Sequence, residues 1–258
     1  MIARVAPVDR LIYGIVGAWV LAMIGVPILR WVFGDGALPY GVAVGVLLQV
    51  IAVLVILIHA WGARRTLLTV TVIIAAAWFV EFAGHTTGFP FGAYGYTDRL
   101  QPQLGGVPLL IPLAWLMMLP PAWAVADRMA RRFGGWRGKL AFVAASAIAF
   151  TAWDLFLDPQ MVAWNLWVWD EPGAFSYFGI PWSNFLGWLA ASAAITAIVA
   201  RIAPLRRLPA RPLIIIYAIT WGLETIGQLF FWMLPGSALV GFAAMGLVLL
   251  VAWRSRRD

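Results

Sequence analysis

The chain has 258 residues, a formal net charge of +7, two histidines and no cysteine; 63% of it is hydrophobic and only 11% charged. A soluble domain carries about 25% charged residues, so an ordinary globular fold is excluded, and the missing cysteines exclude disulfides, thiolate catalysis and cysteine-ligated metals. The only lysine, Lys139, falls among arginines outside the apolar runs, which excludes a retinal Schiff base within a span.

Apolar runs close to the length of a bilayer-spanning helix recur along the whole sequence, with no sign of the short alternating segments of a β-barrel. They predict an all-α, polytopic membrane helix bundle with spans at 11–33, 38–60, 67–84, 107–126, 140–157, 181–202, 212–234 and 236–253. The first run has full length and no small-residue cleavage site, so it reads as a span and not as a removed signal. The fourth contains Pro112, Pro120 and Pro121, which a membrane helix tolerates when neighbours satisfy the freed carbonyls. No fixed-period repeat and no second domain is visible, so residues 1–258 read as one integral-membrane domain.

With these spans, sixteen basic residues fall on one side. They are Arg4 and Arg10; Arg64 and Arg65; Arg128, Arg131, Arg132, Arg137 and Lys139; Arg201, Arg206, Arg207 and Arg211; and Arg254, Arg256 and Arg257. Arg30 and Arg99 alone fall on the other. The bias predicts an even number of spans with both termini cytoplasmic. It also explains the positive charge by topology, so no nucleic-acid partner is expected. The non-cytoplasmic loops 85–106 and 158–180 are poor in charge and rich in Gly, Pro, Trp, Tyr and Phe, and are expected to fold back onto the bundle or lie in the interface. Asp170 and Glu171 sit in WDEPG, a turn signature.

Four acids fall in or at the ends of spans: Glu81, Asp154, Asp158 and Glu224. A charge at the bilayer centre costs roughly 3 kcal/mol on insertion scales, so such residues face the bundle interior and mark a site. The predicted topology places all four in one layer in the outer half of the membrane. Asp154 and Asp158 are four apart and share a helical face, as do Glu81 and His85 if the third helix continues that far. Two carboxyls this close repel when both are ionised, which favours a pair sharing one proton. The alternative for Asp158 is a helix terminator before Pro159, facing interfacial water.

The segment EFAGHTTGFPFGAYGY, residues 81–96, adds Phe89, Phe91, Tyr94 and Tyr96 to a glycine-rich frame. The second loop adds Trp167, Trp169 and Tyr177, and GIPWSNFLGW at 179–188 opens the sixth span with Asn184. One reading is an interfacial aromatic belt. The other is a pocket for a long apolar ligand, whose rings can face a cation.

At these residues the chain resembles the integral-membrane carotenoid 1,2-hydratases, a family that includes lycopene, γ-carotene and bisanhydrobacterioruberin hydratases. The resemblance rests on ExxGxxTGFPFGxYxYxxxLxP at 81–102, GVPLLIPLAW at 106–115, WDLFLDP at 153–159, WxW at 167–169 and FGIPWSNFLGW at 178–188. It is concentrated in 81–190, with a further match around Glu224. It implies an enzyme that adds water across the terminal C=C of a linear ψ end group, giving a tertiary alcohol. An acid protonates the alkene, aromatic faces hold the tertiary carbocation, and a carboxylate deprotonates the attacking water. No metal, nucleotide or redox cofactor is implied. The expected catalytic residues are Asp154, Asp158, Glu81 and Glu224. His85, Phe89, Phe91, Tyr94, Tyr96, Trp167, Trp169, Tyr177 and Asn184 would bind substrate. The expected partners are a carotenoid within the lipid bilayer and water, with room for contact with other carotenoid-biosynthesis enzymes. The implied location is the cell membrane, with the site in the outer half. Two alternatives stay open: a carotenoid cyclase that starts with the same protonation, and a non-enzymatic proton-coupled transporter or lipid-binding membrane protein.

Overall fold

A computed structural model of the protein describes residues 7–171 and 173–255; Arg4, Arg256 and Arg257 of the charge count lie outside the described residues. It contains eight long helices: α1 (Pro7–Phe33), α2 (Leu38–Trp61), α3 (Ala63–Thr87), α4 (Leu110–Ala130), α5 (Gly135–Ala163), α6 (Trp182–Val199), α7 (Ala210–Phe230) and α8 (Pro235–Arg254). All eight are long and apolar enough to cross a bilayer, and the chain is a multi-pass membrane protein. Their outer surfaces stay apolar, with Leu21, Phe79, Leu186 and Leu247 each more than 60% exposed. A helix that is hydrophobic all round suits a lipid surface outside and a packed core inside.

α4 forms the centre of the bundle and packs against α2, α3, α5, α7 and α8. Its prolines do not interrupt it. Pro121 lacks the N–H that would donate to the carbonyl of Met117 four residues earlier. The Gln49 side chain, reaching over from α2, donates to that carbonyl instead at 3.3 Å.

The same device corrects the reading of Asp158 as a helix terminator. α5 runs on through Pro159 to Ala163, several residues beyond the expected end at 157. Pro159 leaves the carbonyl of Leu155 without its helical donor, and the Tyr177 hydroxyl donates to it at 3.0 Å. Asp158 therefore stays inside a continuous helix and is buried.

The two aromatic loops do fold back onto the bundle, and they join each other. β1 (Tyr94–Tyr96) in the α3–α4 connection pairs antiparallel with β4 (Trp167–Trp169) in the α5–α6 connection, with Tyr94 opposite Trp169 and Tyr96 opposite Trp167. Two local hairpins flank this pairing: β2 (Gln103–Leu104) with β3 (Val107–Pro108), and β5 (Ser176–Tyr177) with β6 (Ile180–Pro181). Arg99 then ties three connections together. Its guanidinium donates to the backbone carbonyls of Trp164 and Asp35. Arg30, the other basic residue at this end, pairs with Asp35 at 2.7 Å. Both arginines that depart from the charge bias are thus engaged by the loops at the end where the strands gather.

Candidate active site

The site forms beneath the joined loops, at the ends of α3 and α5 and the start of α6. Phe91 anchors the first loop and is 1% exposed. Its ring lies between two helices at positions without side chains. A Cβ at Gly84 of α3 would come within 2.5 Å of the ring, and one at Gly187 of α6 within 2.7 Å. Only glycine at both positions lets the ring in. The Phe91 carbonyl accepts hydrogen bonds from Trp169 Nε1 (3.3 Å) and Ser183 Oγ (3.4 Å), so the anchored turn also positions β4 and α6.

This anchoring brings β1 over Glu81. The hydroxyls of Tyr94 and Tyr96 both donate to Glu81 Oε2 at 2.7 Å, and Trp115 Nε1 of α4 donates to Oε1 at 2.9 Å. The carboxyl is buried and receives three donors on its two oxygens, contacts that favour its charged form. Burial, and secondly the Glu81 charge, push the ionisation of both Tyr94 and Tyr96 well above the usual phenol range. Both therefore remain donors.

Asp154 and Asp158 project from one face of α5 and are fully enclosed by protein, at 0% and 2% exposure. Asn184 of α6 bridges them. Its amide nitrogen donates to Asp154 Oδ2 at 3.1 Å and to Asp158 Oδ2. Trp167 Nε1 donates to Asp158 Oδ1 at 3.2 Å. Accepting from the same amide nitrogen, the two carboxyls lie side by side. Asp154 Oδ1 has no hydrogen-bond partner.

Glu81 and Asp158 line one cavity of about 600 Å³. Phe91, Tyr94, Tyr96, Trp167, Trp169 and Asn184 line it as well, so it gathers most of the residues singled out from the sequence. Asp154 sits behind Asp158. Four of the expected positions lie elsewhere. Glu224 lines a separate, neighbouring cavity, because its face of α7 turns toward α1 and α2. Phe89 is 77% exposed, since the turn that buries Phe91 points Phe89 outward. Tyr177 supports the α5 backbone and packs on Phe178 and Phe185. His85 packs on Tyr94 and Tyr96 behind the wall, and its Nδ1 is buried without a partner.

Two aromatic wall residues escaped the sequence reading. Trp115 and Trp188 stack with centroids 4.9 Å apart and both line the cavity, with Phe150 packed on the pair at 4.8 and 5.2 Å. Each closes a motif quoted above, GVPLLIPLAW and FGIPWSNFLGW. In a chain with 16 tryptophans, nothing but that motif position distinguishes them. Among the described residues, no group of three or more His, Asp or Glu side chains is arranged to hold a metal ion.

No solved structure matches the chain. A bisanhydrobacterioruberin hydratase of the archaeon Haloarcula japonica is 30% identical over 128 residues, which cover 49% of this chain and 42% of that protein. The chain thus aligns with less than half of the length of this curated relative. The family described as carotenoid biosynthesis protein matches residues 41–252, which leaves out α1 and the start of α2 and takes in every residue of the acid-lined cavity. The chain belongs to that carotenoid biosynthesis family.

Proposed function

We propose that the protein is a carotenoid hydratase, adding water across the terminal C=C of a linear ψ end group to give a tertiary alcohol. One observation carries this reading: Glu81 and Asp158 line the same aromatic cavity with different partners. Glu81 is held by three donors. Asp158 is held against a second carboxyl and an amide. Two buried carboxyls held side by side repel when both are ionised, which favours a shared proton, so the pair stores a proton where Glu81 stores a charge. Environments that divide an acid from a base in this way assign their roles.

The steps follow from the positions. Asp158 lines the cavity and delivers the proton to the terminal alkene carbon, while Asp154 shares the proton from behind. The resulting tertiary cation is faced by the rings of Trp115, Trp188 and Trp169, each cation–π contact contributing about 2 kcal/mol when desolvated. Water forms the new C–O bond, and Glu81 accepts the proton that the water loses. Return of that proton to the aspartate pair restores the site. The net change is the addition of one water, with no electron transfer. The bias of basic residues supports an orientation with both termini cytoplasmic and the site in the outer half of the membrane, where the end group of a bilayer-spanning carotenoid meets the surface.

The test is expression in a lycopene-producing host with pigment analysis by chromatography and mass. The expected product is heavier by one water per reacted end. Asp158→Asn and Asp154→Asn should each remove it while the folded protein persists. Full activity in either variant sinks its assignment. An isomeric product of unchanged mass would instead identify a cyclase, and vesicle flux without chemical change a transporter.

A further inference from the structure

The acid-lined cavity is too small for its proposed substrate. A linear carotenoid is about as long as the hydrocarbon core is thick, roughly 30 Å, whereas the acid-lined cavity, about 600 Å³ with its open side included, is confined to the end of the bundle beneath the loops. The rest of the molecule must leave it through a wall.

A second cavity of about 980 Å³ lies directly beyond. Val42, Val46, Met117, Leu157 and Met161 line both spaces, so only the thickness of these side chains separates them. All five are apolar, and the two methionines are unbranched side chains that repack easily. The far side of the second cavity opens outward. Ile24 of α1 and Ile226 of α7 line it yet are 52% and 51% exposed. On a bundle whose outer surface faces lipid, that opening leads into the bilayer and not into water.

We infer that the second cavity is the binding chamber for the polyene body of the same carotenoid molecule, entered from the bilayer between α1 and α7. Its reactive end passes the Val42–Met117–Met161 constriction to reach Asp158. The occupant is fixed by continuity. The five residues between the two spaces are all apolar, and of the polar residues in the wall of the second (Gln49, Gln160, Thr220 and Glu224) the first three are hydrogen-bonded to protein groups. The ligand class is therefore an acyclic, unbranched-profile isoprenoid of several units. A substrate with a bulky ring at the entering end is excluded by the constriction. This inference rests on the hydratase reading.

The experiment compares two substrates and three proteins. The long substrate is lycopene. The short one is a two-isoprene-unit hydrocarbon with the same terminal trisubstituted alkene. Ile226→Trp places a large ring at the mouth, on an exposed helix position where folding tolerates it. Leu247→Trp, equally lipid-facing on α8 and outside both cavities, is the control. For Ile226→Trp the ratio of kcat/KM for long over short substrate should fall about tenfold, a change of about 1.4 kcal/mol. Leu247→Trp should leave the ratio unchanged. An unchanged ratio in Ile226→Trp overturns the chamber. If the unaltered protein hydrates neither substrate, the hydratase reading fails, and pigment binding then judges the chamber alone. Lycopene co-purifying with the unaltered protein and reduced in Ile226→Trp supports it. Equal pigment in both overturns it.

Discussion

The support of the helix around Asp158 by a tyrosine of the following loop gives a test worked from single atoms. Pro159 removes one helical N–H, and the orphaned Leu155 carbonyl takes the Tyr177 hydroxyl at 3.0 Å. Burial, above all, pushes the Tyr177 phenol above its usual range, so it stays a donor. Tyr177→Phe keeps the ring and its packing on Phe178 and Phe185 but leaves the carbonyl unpaired, which should cost about 1–3 kcal/mol. Pro159→Ala returns the missing N–H to the same carbonyl. In that background Tyr177→Phe should cost close to nothing, so the cycle should show a coupling of about 1–3 kcal/mol. The assay is thermal unfolding of the detergent-solubilised protein, followed by tryptophan fluorescence. Pigment analysis runs in parallel, because any shift of the α5 backbone here moves Asp158, the residue next to Pro159. Equal losses from Tyr177→Phe with and without Pro159 would refute the reasoning, leaving Tyr177 as an ordinary packed aromatic.

Three further outcomes follow from the site and its frame. Tyr94→Phe and Tyr96→Phe each remove a 2.7 Å donor from Glu81. Each should lower hydration on the order of tenfold or more, since bonds to a charged group contribute about 1.5–3 kcal/mol; in a Glu81→Gln background, where no charge remains, the further loss should be smaller, and strict additivity would count against the held carboxylate. Ser237→Ala removes the donor to Gln228 Oε1 (2.7 Å), part of a buried chain in which Gln228 Nε2 donates to the Phe156 carbonyl at 2.7 Å; unfolding should become easier by about 1–3 kcal/mol with kcat unchanged, and a selective loss of turnover at full stability would contradict its structural role. Above about pH 10, the ordinary phenol value, the unfolded chain releases tyrosine protons that the fold retains on Tyr94 and Tyr96. Stability should therefore fall as pH rises through that range, with their phenolate absorbance appearing only as the protein unfolds; titration of both in the folded protein would overturn this.

How much of this was legible in the sequence follows from what each signal encodes. Eight spans were legible because their apolar length is a one-dimensional property. Glu81, Asp154 and Asp158 stood out because carboxyls are costly in such runs. The position of Glu224 along α7 was legible but its azimuth was not, and the azimuth sends it to the second cavity. The helix end at Asp158 was misjudged because Pro159 does remove a hydrogen bond; its replacement comes from Tyr177, in a loop whose course no local pattern reveals. The pairing of β1 with β4 was hidden for the same reason, since it joins three-residue strands some 70 positions apart. Phe89 and Phe91 look alike in FPF. Only Gly84 and Gly187, on two different helices, decide which of them is buried.

The frame also shows what the proposed division between a stored proton and a stored charge requires. Three carboxyls packed at random in low dielectric would all take the neutral form. Here the loops deliver hydroxyl and indole donors to one of them, while helix spacing gives the other two each other. The donors to Glu81 come from β1 and α4, and those to the aspartates from α6 and β4. The antiparallel pairing sets Tyr96, which serves Glu81, opposite Trp167, which serves Asp158. One short strand pair therefore fixes the register of both donor sets at once. A slip of one residue would turn Tyr94 and Tyr96 away from Glu81 together, removing two of its three donors and with them the basis of the proposed division of acid from base. The glycines beneath Phe91 are what hold that register, so the chemistry of the acids depends on two positions that carry no side chain.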